Sequence, residues 1–182
     1  MTEYNGTDED DFIDVSELDS DISNIYPGKG NDTVTNATSN HTIITGPGED
    51  NISGEKFGYA LWNATQAVII NLKENWSEDG FGTRDTISGV ETIHGSSFGD
   101  TMYGSENYEK YFVNGGNNTI DGGGGNDRAS YAPGRGPSTN FEITYIDGSA
   151  HVKGENTLDI LKNVSTIEFM DDAKIFSVDN EN

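Results

Sequence analysis

The sequence predicts an all-β fold in which short parallel strands stack into a solenoid. Turn-forming residues recur with a period of nine, and an apolar or small residue follows each turn in phase. Residues 27–35, 45–53 and 122–130 all carry glycine at positions two and four of the period and aspartate at position six. Glycine reaches left-handed backbone angles without a steric penalty, so each unit is expected to be a sharp turn followed by a short strand.

The nine-residue period runs through two blocks of the chain, with a three-residue insertion upstream of Ser23. Position six is taken by Asp11, Ser23, Asp32, His41 and Asp50 in the first block, and by Glu91, Asp100, Glu109, Asn118 and Asp127 in the second. Position eight is taken by Ile13, Ile25, Val34, Ile43 and Ile52, and by Ile93, Met102, Tyr111, Ile120 and Ala129. Two units form one coil of eighteen residues, and coils should stack about 4.8 Å apart, as neighbouring strands do.

The three template segments resemble the calcium-binding nonapeptide G-G-x-G-x-D-x-U-x of repeats-in-toxin (RTX) proteins. The resemblance implies a right-handed parallel β-roll, a form of β-solenoid, in a single domain over residues 1–182. Residues 6–53 and 91–131 are expected to form the two repeat blocks. Residues 54–90 resemble the β excursion that links two such blocks, and residues 132–182, through the run L-K-N-V-S-T-I-E-F-M-D-D at 161–172, resemble the C-terminal β cap.

The resemblance also implies that the chain binds several Ca²⁺ ions. Calcium takes six to eight oxygen ligands from carboxylates and backbone carbonyls, and stacked turns offer both. We expect ions between Asp32 and Asp50 and between Asp11 and Asp32. The full set of candidate ligand positions, through side chain or carbonyl, is Asp11, Gly28, Lys29, Gly30, Asp32, Gly46, Gly48, Asp50, Asp100, Asn118, Gly123, Gly125 and Asp127.

Some candidate positions depart from the family pattern. Asn118 keeps a side-chain oxygen without the charge, and the extra methylene of Glu91 and Glu109 places the carboxylate differently. Asp171 and Asp172 form either a further calcium site or a solvated pair at a surface turn, and the sequence leaves both possibilities open.

The composition indicates a fold that depends on counter-ions. The chain has 32 acidic and 10 basic residues, a formal charge of −22 and no cysteine. Only about a fifth of its residues are Leu, Ile, Val or Phe, which is close to the range of disordered chains. We therefore expect calcium to take the place of disulfides and the metal-free chain to be largely unfolded.

The sequence favours a non-enzymatic role. His41, His94 and His151 show no zinc-type spacing, and neither a cysteine nucleophile nor a phosphate-binding loop is present. The basic residues are scattered, whereas a polyanion-binding surface needs them clustered. No apolar stretch approaches the length of a membrane span. We therefore expect neither nucleic acid binding nor membrane insertion.

Two classes of function remain open. In the first, the chain is a structural or ligand-binding module of a large bacterial RTX adhesin, which acts in cell attachment and biofilm formation and binds a surface glycan or peptide. In the second, it is an accessory module that aids the secretion and folding of an enzyme such as an alginate epimerase or a protease. The resemblance implies type I secretion and a secreted or cell-surface location. We expect a monomeric module that adjoins further domains of a larger polypeptide.

Overall fold

The structure is a computed structural model that describes residues 2–178. These residues contain eighteen strands, two short 3₁₀ turns and no α-helix. No helix in this part of the chain is long and apolar enough to span a membrane. The strands are β1 (Thr2–Asn5), β2 (Phe12–Asp14), β3 (Ile22–Tyr26), β4 (Thr33–Ala37), β5 (Thr42–Ile44), β6 (Asn51–Ala60), β7 (Ile69–Asn71), β8 (Trp76–Glu78), β9 (Arg84–His94), β10 (Thr101–Tyr103), β11 (Lys110–Val113), β12 (Thr119–Asp121), β13 (Arg128–Tyr131), β14 (Glu142–Ile146), β15 (Ser149–Lys153), β16 (Leu158–Lys162), β17 (Thr166–Phe169) and β18 (Lys174–Ser177).

The strands lie in two faces of one β-roll, which we call the front and rear sheets. The rear sheet runs β1–β3–β5–β6–β9–β11–β13–β17–β18. The front sheet runs β2–β4–β6–β9–β8–β7–β10–β12–β16–β15–β14. The long strands β6 and β9 contribute their first residues to the front sheet and their last residues to the rear sheet. The predicted parallel β-roll is confirmed.

The strand register confirms the coil of eighteen residues. Thr33 pairs with Asn51, and Lys110 pairs with Arg128, in each case eighteen residues further along the chain. Phe12 pairs with Thr33, and this longer step contains the three-residue insertion. Because side chains alternate between the two faces of a strand, this register places the position-eight residues in two inward-facing columns, one in each sheet.

The position-eight residues form the core of the roll. All ten of them are buried, with exposed fractions between 0% and 2%. Burial of apolar side chains is the dominant favourable term in folding, so this double column provides most of the apolar packing in the repeat blocks. Tyr59, Phe57 and Leu61, in and just after β6, extend the same core through the region between the blocks.

Two features interrupt the parallel pattern. Within residues 54–90, β7 and β8 form an antiparallel hairpin that is inserted between β9 and β10 of the front sheet. At the C-terminal end, β14 and β15 form a hairpin on β16, and β18 lies antiparallel on β17. Antiparallel strands that cover the last coil protect its hydrogen-bonding edge.

Candidate metal-binding turns

The turns of successive coils stack in close contact. Gly28 and Gly48 have φ angles of 120° and 149°. A Cβ atom at Gly28 would overlap the carbonyl oxygen of Thr7 in the neighbouring turn, and one at Gly48 would overlap that of Gly30. The glycines therefore bring the carbonyl oxygens of one turn against the backbone of the next.

Aspartate side chains connect the stacked turns of the first block. The Asp11 N–H donates to Oδ1 of Asp32 at 2.8 Å, and the Asp32 N–H donates to Oδ1 of Asp50 at 2.9 Å. The Asp50 N–H donates in turn to Oδ1 of Asp85 at 3.1 Å. We call this series the first carboxylate ladder. The structure brings the predicted residues Asp11, Asp32 and Asp50 together and adds Asp85.

Sequence reasoning missed Asp85 because the β7–β8 hairpin lies between it and Asp50. A signal was nevertheless present, since Asp85 precedes Ile87 by two residues, as Asp50 precedes Ile52. Ile87 is fully buried and pairs with Ile52. Asp85 and Ile87 are thus positions six and eight of another coil.

A second ladder crosses the other repeat block. The Val68 N–H donates to Oδ1 of Asp100 at 3.0 Å, the Asp100 N–H to Oδ1 of Asn118 at 3.0 Å, and the Asn118 N–H to Oδ1 of Asp159 at 2.9 Å. Asp159 was also missed, because an insertion containing β14 and β15 separates it from Asn118. On the opposite edge of the roll, the Glu109 N–H donates to Oδ1 of Asp127 at 2.7 Å.

Three carboxylates have one oxygen engaged in this way and a second oxygen without a hydrogen-bond partner among residues 2–178. They are Asp32, Asp50 and Asp127, whose exposed fractions are 1%, 2% and 0%. Burying an ionised carboxylate is costly unless it is paired with a cation. These three residues therefore fit a calcium ion, with carboxylate oxygens from the turns and carbonyl oxygens brought close by the glycines.

The protonation equilibria of these groups show the same need for a cation. Burial raises the pKa of Asp50 to about 8, and the charges of Asp85 and Asp32 act in the same direction. Burial raises the pKa of Asp127 to about 7, with a further contribution from the charge of Glu109. Burial also raises the pKa of Asp32. Each carboxyl group thus resists ionisation unless a positive charge lies beside it.

A buried tyrosine closes the end of each ladder. The Tyr59 hydroxyl donates to Oδ2 of Asp85 at 2.5 Å and lies 2.8 Å from Oγ of Ser77. The Tyr131 hydroxyl donates to Oδ2 of Asp159 at 3.0 Å. The terminal carboxylates are therefore engaged by hydroxyl donors of the protein, and Asp159 is also paired with the Arg135 guanidinium at 3.4 Å.

Replacing Tyr59 with phenylalanine should destabilise the calcium-saturated protein by about 1–3 kcal/mol, because the buried oxygen of Asp85 loses its shortest hydrogen bond. Urea unfolding in excess calcium measures this difference. Tyr103→Phe is the matched control, since the Tyr103 side chain is 43% exposed. Equal stability of the two variants would contradict the role given to the Tyr59 hydroxyl.

The remaining predicted residues lie in or beside the stacked turns. The Lys29 ammonium contacts Oδ2 of the exposed Asp8 at 2.5 Å, so only the Lys29 backbone is available to a turn site. Gly30 donates its N–H to the carbonyl of Pro47 at 3.2 Å. A Cβ atom at Gly46 would overlap the Gly28 carbonyl oxygen. Gly123 and Gly125 approach the carbonyl oxygens of Ser105 and Asn107 in the same way.

Asp171 and Asp172 bind the segment that follows β13. Asp171 accepts hydrogen bonds from the N–H groups of Gly134 and Gly136, and Asp172 accepts from the N–H and hydroxyl of Ser138. Hydrogen bonds to Ser138 hold the pKa of Asp172 below its ordinary value. One oxygen of Asp172 is buried and has no partner in residues 2–178. These contacts fix a loop, and a calcium site here stays a hypothesis.

No group of three or more His, Cys, Asp or Glu side chains within residues 2–178 is arranged to bind a metal ion. Calcium does not need three such side chains, because backbone carbonyl oxygens also serve as its ligands.

Residues 85–107 and 111–134 match the family described as the RTX calcium-binding nonapeptide repeat, in 4 copies. No curated protein matches the chain. The matched segments contain Asp100, Asn118 and Asp127, while the whole first block lies outside them. RTX nonapeptide repeats bind calcium ions and are typical of secreted proteins. The chain therefore contains RTX calcium-binding nonapeptide repeats in its second block, within the fold of a parallel β-roll.

Proposed function

We propose that the chain is a calcium-folded, non-enzymatic extracellular module of a large bacterial adhesin, monomeric in itself and joined to further domains. The observation that carries its calcium dependence is the set of buried carboxylate oxygens without a hydrogen-bond partner, on Asp32, Asp50 and Asp127. Such a fold suits a protein that crosses the cell envelope unfolded and meets millimolar calcium outside.

A cleft in the C-terminal part of the chain supports a ligand-binding role. It has a volume of about 820 Å³ and lies between the segment that follows β13, the start of β14 and the turn between β15 and β16. Its lining includes the polar side chains of Thr139, Asn140, Lys153 and Asn156 together with the ring of Phe141. The Phe141 ring packs against Tyr131 and Phe169, so the polar side chains are the groups that match the hydroxyl groups of a glycan.

Four aromatic residues outside the cleft, Trp62, Trp76, His94 and Phe112, offer less support for such a site. The rings of His94 and Phe112 stack on each other at 4.2 Å, and the edge of Trp62 lies against His94 at 5.2 Å. The Lys110 ammonium lies 4.5 Å from the Phe112 ring, and the Arg84 guanidinium lies 3.9 Å from the Trp76 ring. These ring faces already have protein partners, so we assign them to packing and favour the cleft.

A glycan array probed with the calcium-saturated chain tests the ligand-binding proposal. We expect glycan binding that is lost in chelator and reduced at least tenfold in Lys153→Ala. Lys73→Ala is the matched control, because Lys73 is an exposed lysine outside the cleft. If the glycan, peptide and cell-binding screens all fail, the chain has a purely structural role in the adhesin. Rescue of activity in a linked catalytic domain would instead support the accessory role.

A further inference from the structure

Six turns of the two blocks that end in a carboxylate fall into two classes according to the residue at position two. Turns 27–32, 45–50 and 122–127 have glycine there, and we call them glycine turns. Turns 6–11, 95–100 and 104–109 have Thr7, Ser96 and Ser105 at the same position, and we call them hydroxyl turns. Each class has a carboxylate at position six, so the two classes differ in what faces that carboxylate.

In the hydroxyl turns, residue two donates both its N–H and its O–H to the carboxylate of its own turn. The Thr7 N–H donates to Oδ2 of Asp11 at 2.6 Å, and the Thr7 hydroxyl donates to the same oxygen at 2.9 Å. The Ser96 N–H donates to Oδ2 of Asp100 at 2.8 Å, and its hydroxyl donates to Oδ1 at 2.5 Å.

The third hydroxyl turn repeats this arrangement with a longer side chain. The Ser105 N–H donates to Oε2 of Glu109 at 3.2 Å, and the Ser105 hydroxyl donates to Oε1. Residue two thus donates two hydrogen bonds to its own carboxylate in all three turns, through both oxygens of Asp100 and Glu109 and through Oδ2 alone at Asp11.

In the glycine turns, position two has no side chain to donate. All three of their carboxylates, on Asp32, Asp50 and Asp127, have an oxygen that lacks a hydrogen-bond partner among the described residues and is shielded from water. The buried carboxylates of Asp100 and Glu109 are absent from this group, whereas Asp11 is only half-buried and accepts through Oδ2 alone. Among the buried carboxylates of these turns, an unpartnered oxygen at position six therefore always accompanies glycine at position two.

We propose that calcium is bound through Asp32, Asp50 and Asp127, and that the carboxylates of Asp11, Asp100 and Glu109 are closed by their own Ser or Thr without an ion. A hydroxyl hydrogen that points at a carboxylate oxygen places its positive charge where a cation would otherwise lie. Calcium requires oxygen lone pairs that face it, so the hydroxyl and the ion compete for the same position.

A neighbouring side chain supports this division in the second ladder. The amide nitrogen of Asn118 donates to the carbonyl oxygen of Gly115 at 3.1 Å and to Oδ1 of Asp159 at 2.8 Å. Both acceptors are thereby engaged by a protein donor. The stack of turns that contains Asp100 and Asn118 thus has its own donors at the places where the family resemblance predicts an ion.

Two of the three calcium-binding carboxylates lie in a part of the chain that does not match the repeat family. Asp32 and Asp50 lie outside residues 85–107 and 111–134, whereas Asp100 lies inside them. The residue at position two therefore predicts calcium binding more specifically than the overall match to the repeat. This inference rests on the calcium binding of the repeats and concerns only how the ions are distributed.

The direct test is a crystal structure of the unmodified chain grown in calcium chloride, with terbium soaked in to give anomalous peaks. We expect peaks within coordination distance of Asp32, Asp50 and Asp127 and none at Asp100. A peak bound by Asp100 and Asn118 would overturn the proposal, as would the absence of a peak at Asp50 or Asp127. Because the crystal contains the unmodified protein, this test does not depend on whether a variant folds.

Native mass spectrometry of variants in calcium gives a second readout. Asp50→Asn should lower the number of bound ions by at least one, while the surface control Asp19→Asn should not. Ser96→Ala should keep the full number of ions and lower the melting temperature, because it loses two hydrogen bonds of the hydroxyl, one donated to Asp100 and one accepted from the Phe98 N–H, and no ion ligand. Loss of an ion in Ser96→Ala would show that this hydroxyl is a ligand and would overturn the proposal. The proposal would also be overturned if none of the variants lost an ion.

Discussion

Removal of calcium is expected to convert the folded chain from a β-rich state to a largely unfolded one. The acidic side chains that give the chain its formal charge of −22 repel one another. Buried carboxylates such as Asp32, Asp50 and Asp127 would also be left without a counter-ion. Each calcium that binds only the folded state contributes roughly 2.7 kcal/mol at one hundred times its dissociation constant. Because a domain is stable by only about 5–15 kcal/mol, the loss of several ions is sufficient to unfold it.

The raised pKa values give this prediction a pH dependence. In the unfolded chain the carboxyl group of Asp50 has its ordinary pKa of 3.8, whereas folding without metal raises that pKa to about 8. Between pH 3.8 and about pH 8 the carboxyl group of Asp50 is ionised in the unfolded state but still protonated in the metal-free folded state. The stability of the metal-free fold therefore decreases as the pH rises through this range. Most of this loss is present at pH 7.5. Calcium binds the ionised carboxylate and therefore offsets the loss where it is largest.

Far-ultraviolet circular dichroism during a calcium titration of the chelated chain at pH 7.5 measures this transition. Magnesium is the control ion, because it is smaller and dehydrates reluctantly. The double variant Asp32→Ala and Asp50→Ala should shift the calcium midpoint to at least tenfold higher concentration. An unchanged β spectrum in chelator would contradict the role of calcium in folding.

The core of this fold was predictable because its pattern is local. The spacing of nine residues placed Ile13, Val34, Ile52 and their equivalents on one inward column, and each of them is buried. The pairing of Thr101 with Thr119 likewise follows from the coil of eighteen residues. Regular spacing predicts contacts wherever nothing is inserted between the units.

The ends of the carboxylate ladders could not be predicted by counting. Asp85 follows Asp50 after the β7–β8 hairpin, and Asp159 follows Asn118 after a segment that contains β14 and β15. Insertions of this size interrupt the nine-residue spacing, so counting along the sequence no longer shows which turn stacks on which. The tyrosine hydroxyls that close the ladders depend on side-chain geometry in three dimensions, which the repeat template does not specify.

The glycine turns depend on a contact that a single methyl group should destroy. Gly48 has a φ of 149°, which a residue with a side chain rarely adopts, and a Cβ atom there would overlap the carbonyl oxygen of Gly30. The obstacle is backbone, so it cannot rotate away. We expect Gly48→Ala to destabilise the calcium-saturated protein by about 4 kcal/mol or more, a size that indicates a specific structural mechanism. The calcium affinity should fall as well, because the turns that hold Asp32 and Asp50 are forced apart.

Gly82→Ala separates this collision from the cost of the backbone angle. Gly82 also has a positive φ, 109°, but no atom lies within 4 Å of the position that its Cβ would occupy. Its substitution should cost only the strain of the left-handed conformation, about 1–2 kcal/mol. Urea unfolding in excess calcium compares the two variants, and isothermal titration gives their calcium affinities. If Gly48→Ala were no more destabilising than Gly82→Ala, glycine in the turns would be required only for its backbone angle, and the close stacking of coils would not be what selects it.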